Sequence, residues 1–139
     1  MRLEQVMVVN VVTISPSERL SVAADWMRGQ NVGCLVVTNA GEVKGIITDR
    51  DIATRCVSRE HDARGCCVSD HMSAPPITAH PSMDIIEAAH LMRAAQIKRL
   101  PIVSGSQLIG LVSLSDVALA LDQPMHDLLL GMGAARRGE

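Results

Sequence analysis

The sequence predicts an α/β (α+β) fold made of two copies of one β-α-β-β-α unit. The copies pack with pseudo-twofold symmetry, as small mixed sheets flanked by helices. Three observations carry this. The first is a gap-free internal repeat with a register of 65 residues. It sets Thr13 on Thr78, Pro16-Ser17 on Pro81-Ser82, Ala23-Ala24 on Ala88-Ala89, Met27-Arg28 on Met92-Arg93, Gly45 on Gly110 and Asp51 on Asp116. Chance matches of small residues explain two or three of these, not a whole register, and fixed-period self-similarity marks a duplicated unit. The second is the stretch Gly45-Ile46-Ile47-Thr48-Asp49-Arg50-Asp51 and its echo Gly110-Leu111-Val112-Ser113-Leu114-Ser115-Asp116. A glycine before an aliphatic pair reads as the end of a buried strand. Ser/Thr-x-x-Asp reads as a helix start, with the hydroxyl as cap and the carboxylate beside the orphan amides. Each stretch is thus a strand turning directly into a helix, a geometry suited to holding phosphate. The third is size: a unit of about 45 residues is near the lower limit for folding alone, so two copies sharing a core is the stable solution.

Each element follows in order. A short extended piece, Val11-Val12-Thr13 or Ile77-Thr78, opens each copy, and Pro16-Ser17 or Pro81-Ser82 punctuates a helix start. Leu20, Ala23, Ala24 and Met27 recur at i, i+3, i+4 and i+7, an apolar stripe on one helix face that Ile85, Ala88, Ala89 and Met92 repeat. Strands follow at Cys34 to Thr38 and Val43 to Thr48, joined by Asn39-Ala40-Gly41-Glu42. Their counterparts are Leu100 to Val103 and Leu108 to Ser113, across Ser104-Gly105-Ser106-Gln107. A last helix starts after Thr48 or Ser113, with Ile52 and Val117 facing inward. The boundaries are residues 3–57 for the first repeat, 58–73 for a linker with a helical turn near Val68 to Met72, 74–122 for the second repeat and 123–139 for a tail. A similar turn is expected at Leu3 to Met7, ahead of copy one, and an amphipathic helix at Pro124 to Leu130.

Composition narrows the function classes. One Trp and no Phe or Tyr leave aliphatic residues and Met to build the core. A formal charge of −2 offers no general attraction to nucleic acid or anionic membrane. Single-stranded nucleic acid would also want aromatic platforms beyond Trp26. The polar N-terminus and the lack of a long uncharged apolar run predict a cytoplasmic protein with reduced thiols at Cys34, Cys56, Cys66 and Cys67.

With these residues in view, the chain resembles a pair of CBS domains, the Bateman module. Two β-α-β-β-α copies, each closing on Gly-h-h-Thr/Ser-x-x-Asp (h, hydrophobic), carry the resemblance. The wording Gly-Ile-Ile-Thr-Asp-Arg-Asp-Ile and Lys98-Arg99-Leu100-Pro101-Ile102-Val103 is similar to small stand-alone bacterial and archaeal members. It covers roughly residues 3 to 122. The resemblance implies a regulatory module, not an enzyme, that binds an adenosine-containing ligand (AMP, ADP, ATP or S-adenosylmethionine, sometimes NAD) in clefts between the repeats. It further implies disk-shaped homodimers that signal to an unknown protein target through dimer geometry.

In the family the Asp matching Asp51 and Asp116 receives the ribose hydroxyls, and the Thr/Ser matching Thr48 and Ser113 bonds phosphate or ribose. The plain alternative is a helix cap worth about 1 kcal/mol, and the two readings are compatible. Adenine is expected against Val12-Thr13 and Ile77-Thr78 and at Cys34-Leu35-Val36 and Leu100-Pro101-Ile102, where backbone groups read the purine edge. Lys98 and Arg99 in copy two, and Arg50 in copy one, are the cations available to phosphate, and they favour the second repeat. Each taken singly is equally a solvated surface charge. A ligand-free dimerisation scaffold stays open as the alternative reading.

Cys56, His61, Cys66, Cys67 and His71 offer soft metal ligands, yet no Cys-x-x-Cys pair is present and adjacent cysteines suit few structural sites. Spacing therefore favours a linker with half-buried thiols, and no metal is expected. Trp26 fits a dimer interface and core filling equally well. No nucleophile–base pair or catalytic carboxylate pair stands out.

Overall fold

A computed structural model describes residues 1–121; the expected helix at Pro124 to Leu130 and the rest of the tail lie outside the described residues. Two compact units emerge, and they cut across chain order. One holds Asn10–Ile77 with Val103–Leu108; the other holds Met1–Val9, Thr78–Ile102 and, of the described residues, 109–121.

The first-repeat unit contains β1 (Thr13–Ile14), α1 (Leu20–Gln30), β2 (Cys34–Asn39), β3 (Glu42–Thr48), α2 (Asp49–Asp51) and α3 (Val68–His71). After α2 the chain widens into a π-helical turn over Ile52–Cys56 and a 3-10 turn over Val57–Arg59. β1 runs parallel to β2, with Thr13 opposite Val36, and β2 runs antiparallel to β3, with Leu35 opposite Ile47. Leu20, Ala23 and Met27 of α1 pack with Leu35, Val37, Ile47, Cys56 and Val68 into one core. Ala24, expected on the same stripe, is only half-buried. α1 stops at Asn31, whose left-handed backbone (φ 55) returns its N–H to the carbonyls of Met27 and Arg28.

The second-repeat unit contains α4 (Ile85–Ala95), β4 (Arg99–Ser104), β5 (Gln107–Ser113) and α5 (Leu114–Leu121). The tip of the β4–β5 hairpin is counted with the first-repeat unit, where Gln107 pairs with Glu42. Its core joins Leu3, Ile85, Ala88, Met92, Leu100, Ile102, Val112 and Val117. Gln96 repeats the left-handed stop of α1, also at φ 55. The extended piece expected at Ile77-Thr78 forms no strand. Pairing begins at Ala79, as a single parallel bridge to Ile102. Pro75 and Pro76 lie just upstream and have no N–H to give a ladder.

The segment before each repeat belongs to the unit of the other repeat. The Leu3 N–H donates to the Met83 carbonyl at 2.9 Å, the Glu4 N–H to Pro81 at 3.0 Å, and the Ile85 N–H to Met1 at 3.0 Å. Sixty-five positions on, the same three bonds run from Val68 to Glu18 (2.8 Å), Ser69 to Pro16 (3.0 Å) and Leu20 to Cys66 (2.9 Å). Val8 and Leu111 exchange two backbone bonds at 2.9 and 3.0 Å, as Ser73 and Ile46 do at 2.8 and 3.1 Å. So the turn at Leu3–Gln5, ahead of copy one in the chain, is built into the core of copy two. The reason lies in the helix starts. Arg19 gives α1 no side-chain cap, so the carbonyls of Cys66 and Ala63 take up the amides of Leu20 and Ser21. Among the described residues no helix is long and apolar enough to cross a membrane.

Candidate functional site

Two strand-to-helix turns carry most of the polar residues singled out in the sequence, and they are built alike. Thr48 ends β3 with an extended backbone, and its Oγ1 accepts the Asp51 N–H at 3.1 Å while Asp51 Oδ2 accepts the Thr48 N–H at 3.0 Å. Ser113 and Asp116 exchange the same two bonds, at 3.1 and 2.8 Å. Each is a reciprocal capping box that satisfies two orphan donors. A third bond closes each turn: the Asp49 N–H donates to the Gly33 carbonyl at 3.0 Å, and the Leu114 N–H to Lys98 at 2.9 Å.

The two aspartates differ at their second oxygen. Asp51 Oδ1 faces Arg55 Nε at 3.7 Å, and the same guanidinium donates to the carbonyls of His71 and Met72 at 3.1 and 3.2 Å. The repeat sets Ala120 where copy one has Arg55. Asp116 makes no ion pair among the described residues. Asp116 lines an open depression of about 540 Å³ with Met1, Gln5, Val6, Leu119 and Ala120. Sequence reasoning did not assign the leader residues Met1, Gln5 and Val6 to this place. The signal that finds them is the exchange of leaders between repeats.

The remaining candidates divide by exposure. The side chains of Leu35 and Leu100 are fully buried in their cores, so only their backbones are available to a ligand. Pro101 is also buried, and its carbonyl already accepts the Ala79 N–H at 3.0 Å. Thr13 and Thr78 are half-buried, and Ile77 is exposed. Lys98 and Arg50 are exposed, while Arg99 is half-buried and donates to the Lys98 carbonyl at 3.2 Å. Away from these turns, the fold draws Cys56, Cys66 and His71 together, which their spacing in the chain does not suggest.

Comparison with known proteins agrees with the repeat. The model of the CBS domain family matches this chain twice, over residues 3–58 and 68–123. The CBS domain-containing protein YhcV of Bacillus subtilis is 40% identical over 113 residues, spanning 81% of this chain and 80% of its own length. A putative signal-transduction protein with CBS domains from Burkholderia ambifaria superposes with a TM-score of 0.76 at 27% identity, over 81% of this chain and 83% of that one. CBSX2, solved in complex with AMP, shares the fold, with a TM-score of 0.73 at 22% identity over 86% of this chain and 94% of its own. A gap-free duplication, two identical capping turns and two family matches in register lead to one conclusion: the chain belongs to the CBS domain family, as a tandem CBS pair.

Proposed function

We propose that this CBS pair is a regulatory, non-catalytic module that binds an adenosine-containing ligand at the turn of its second repeat. AMP, ADP, ATP and S-adenosylmethionine are the candidate ligands. The observation that carries the reading is the asymmetry of the aspartates. Arg55 faces the second oxygen of Asp51 at 3.7 Å, whereas Asp116 makes no ion pair among the described residues and lines an open depression. A carboxylate so placed takes both hydroxyls of a ribose. Ser113 and the start of α5 favour the phosphate, and Lys98, whose carbonyl accepts the Leu114 N–H at 2.9 Å, and Arg99 beside it supply positive charge. Thr78 and the backbone at Leu100 are left for the base. AMP is the first probe, since it is bound by a protein of the same fold. Trp26, at 42% exposure, does not fill the core and is offered to a homodimer interface instead.

Isothermal titration with AMP, ATP and S-adenosylmethionine tests this. One of them is expected to bind, and Asp116→Asn to weaken it about 10-fold, the loss of roughly one charge-assisted hydrogen bond. Asp51→Asn is expected to leave the affinity within a factor of about two, an outcome within typical surface effects. Silence with all three ligands at millimolar concentration removes the proposal.

The alternative, a ligand-free scaffold, is favoured by one observation: in both turns the hydroxyl and the carboxylate already serve as helix caps. Under either reading Ser113→Ala is expected to lower stability by about 1 kcal/mol, measured by urea denaturation. Under the scaffold reading it leaves dimer mass and partner capture unchanged.

A further inference from the structure

A second site, chemically unlike the first, is built where the first-repeat unit receives its leader. The π-helical turn after α2 carries Cys56, which is fully buried. The leader supplies Cys66, and α3 supplies His71, 6% exposed. The Sγ atoms of the two cysteines and a ring nitrogen of His71 all lie within 4.8 Å of one another. The decisive feature is His71 Nε2, a buried ring nitrogen with no hydrogen-bond partner among the described residues. Leaving such an atom unpaired costs about 1–3 kcal/mol, so buried polar atoms are nearly always satisfied. A fourth donor stands beside it: the His61 ring centroid is 5.3 Å from that of His71. His61 is also tied to Cys56 through its backbone, its N–H donating to the Cys56 carbonyl at 2.9 Å. The Cys56 thiol donates to the His61 carbonyl at 3.3 Å.

We propose that Cys56, Cys66 and His71, with His61 as the fourth ligand, form a binding site for a thiophilic divalent cation of the zinc type. Two thiolates and two imidazoles are a preferred donor set of tetrahedral zinc. With bonds of about 2.3 Å to sulfur, ligand atoms in such a site sit roughly 3.8 Å apart. The cluster therefore has to contract by about 1 Å, within the reach of side-chain rotation. The pseudo-equivalent positions of the other unit hold Met1, Val6 and Leu121, so the site belongs to the first repeat alone. Linear spacing argued against a metal here. It did so because the ligands come from a π-turn and from a leader folded back onto it, not from one knuckle.

Cobalt(II) is the probe. Full-length protein is kept reduced, stripped with a chelator, exchanged into buffer and titrated with cobalt(II). One equivalent is expected to produce the visible bands of tetrahedral cobalt and a near-ultraviolet thiolate-to-cobalt transition, both erased by one equivalent of zinc. Cys66→Ser and His71→Gln are each expected to weaken cobalt binding about 100-fold or more, since loss of a mere supporting contact already costs 10–100-fold. Cys67→Ser, one residue away and outside the cluster, is expected to bind as the parent does. Cys66 is only half-buried, so its variant tests the site even where Cys56→Ser fails to fold. Absence of tetrahedral bands in the reduced parent overturns the proposal, and so does unchanged binding in both the Cys66→Ser and His71→Gln variants.

Discussion

Leu3→Ala will lower the stability of the protein by about 3 kcal/mol, although it lies three residues from the N-terminus. Terminal residues are ordinarily the cheapest to change, because they are poorly ordered unless tied down. Leu3 is tied down. Its side chain is fully buried among Ala79, Ile85, Ala88, Met92, Leu100, Ile102, Val112 and Val117. Its amide is bonded to Met83, and the amide of Glu4 beside it is bonded to Pro81. Truncation to alanine removes the transfer energy of the lost methyl-bearing carbons and leaves a cavity that a β-sheet core closes poorly, a combination that costs 2–5 kcal/mol for Leu. Leu114→Ala serves as the reference. It is 44% exposed at the start of α5 and is expected to change stability by less than about 0.5 kcal/mol. Urea midpoints for the two variants decide the matter. If Leu3→Ala proves as mild as Leu114→Ala, the leader is not part of the second-repeat core.

That prediction marks where the sequence was legible and where it was not. The 65-residue register exposed the helix stripes, the hairpins and both Ser/Thr-x-x-Asp turns, because each depends on neighbours a few residues away. Thr48 with Asp51 and Ser113 with Asp116 close their capping boxes as local chemistry requires. The exchange of leaders was not legible, since nothing in Leu3-Glu4-Gln5 says which of two similar cores receives it. Periodicity gives an apolar residue a face but not a partner. The same limit hid the contrast between Asp51 and Asp116, which rests on an arginine one turn along the helix in one copy and an alanine in the other. It also hid the meeting of Cys56 with Cys66 and His71, which needs the widened turn at Ile52–Cys56. The first strand expected at Ile77-Thr78 does not form: apolar, β-prone residues stand there, but the two prolines upstream have no N–H to give.

The motif glycines extend this argument to a second large effect: Gly45→Ala is expected to cost about 3 kcal/mol and Gly110→Ala about 1 kcal/mol. Both positions are buried in strands, and each is approached by the leader of the other repeat. A Cβ on Gly45 would lie 2.7 Å from the Ser73 carbonyl oxygen and 2.8 Å from Met72 Sδ. That carbonyl accepts the Ile46 N–H at 3.1 Å, so moving it breaks a backbone pair as well as a contact. Overpacking of this kind costs 1–3 kcal/mol, with the upper end reached where backbone must give way. The three atoms nearest a Cβ on Gly110 would all belong to the Met7 side chain, Sδ, Cγ and Cβ. Methionine has three rotatable bonds and repacks readily, so most of that clash is relieved. Chemical denaturation of the two variants in one buffer measures the difference. Equal costs would show that Met7 is as fixed as the Ser73 backbone. In either case the glycine that opens each motif makes room for a neighbouring leader, while the hydroxyl and carboxylate after it cap the helix.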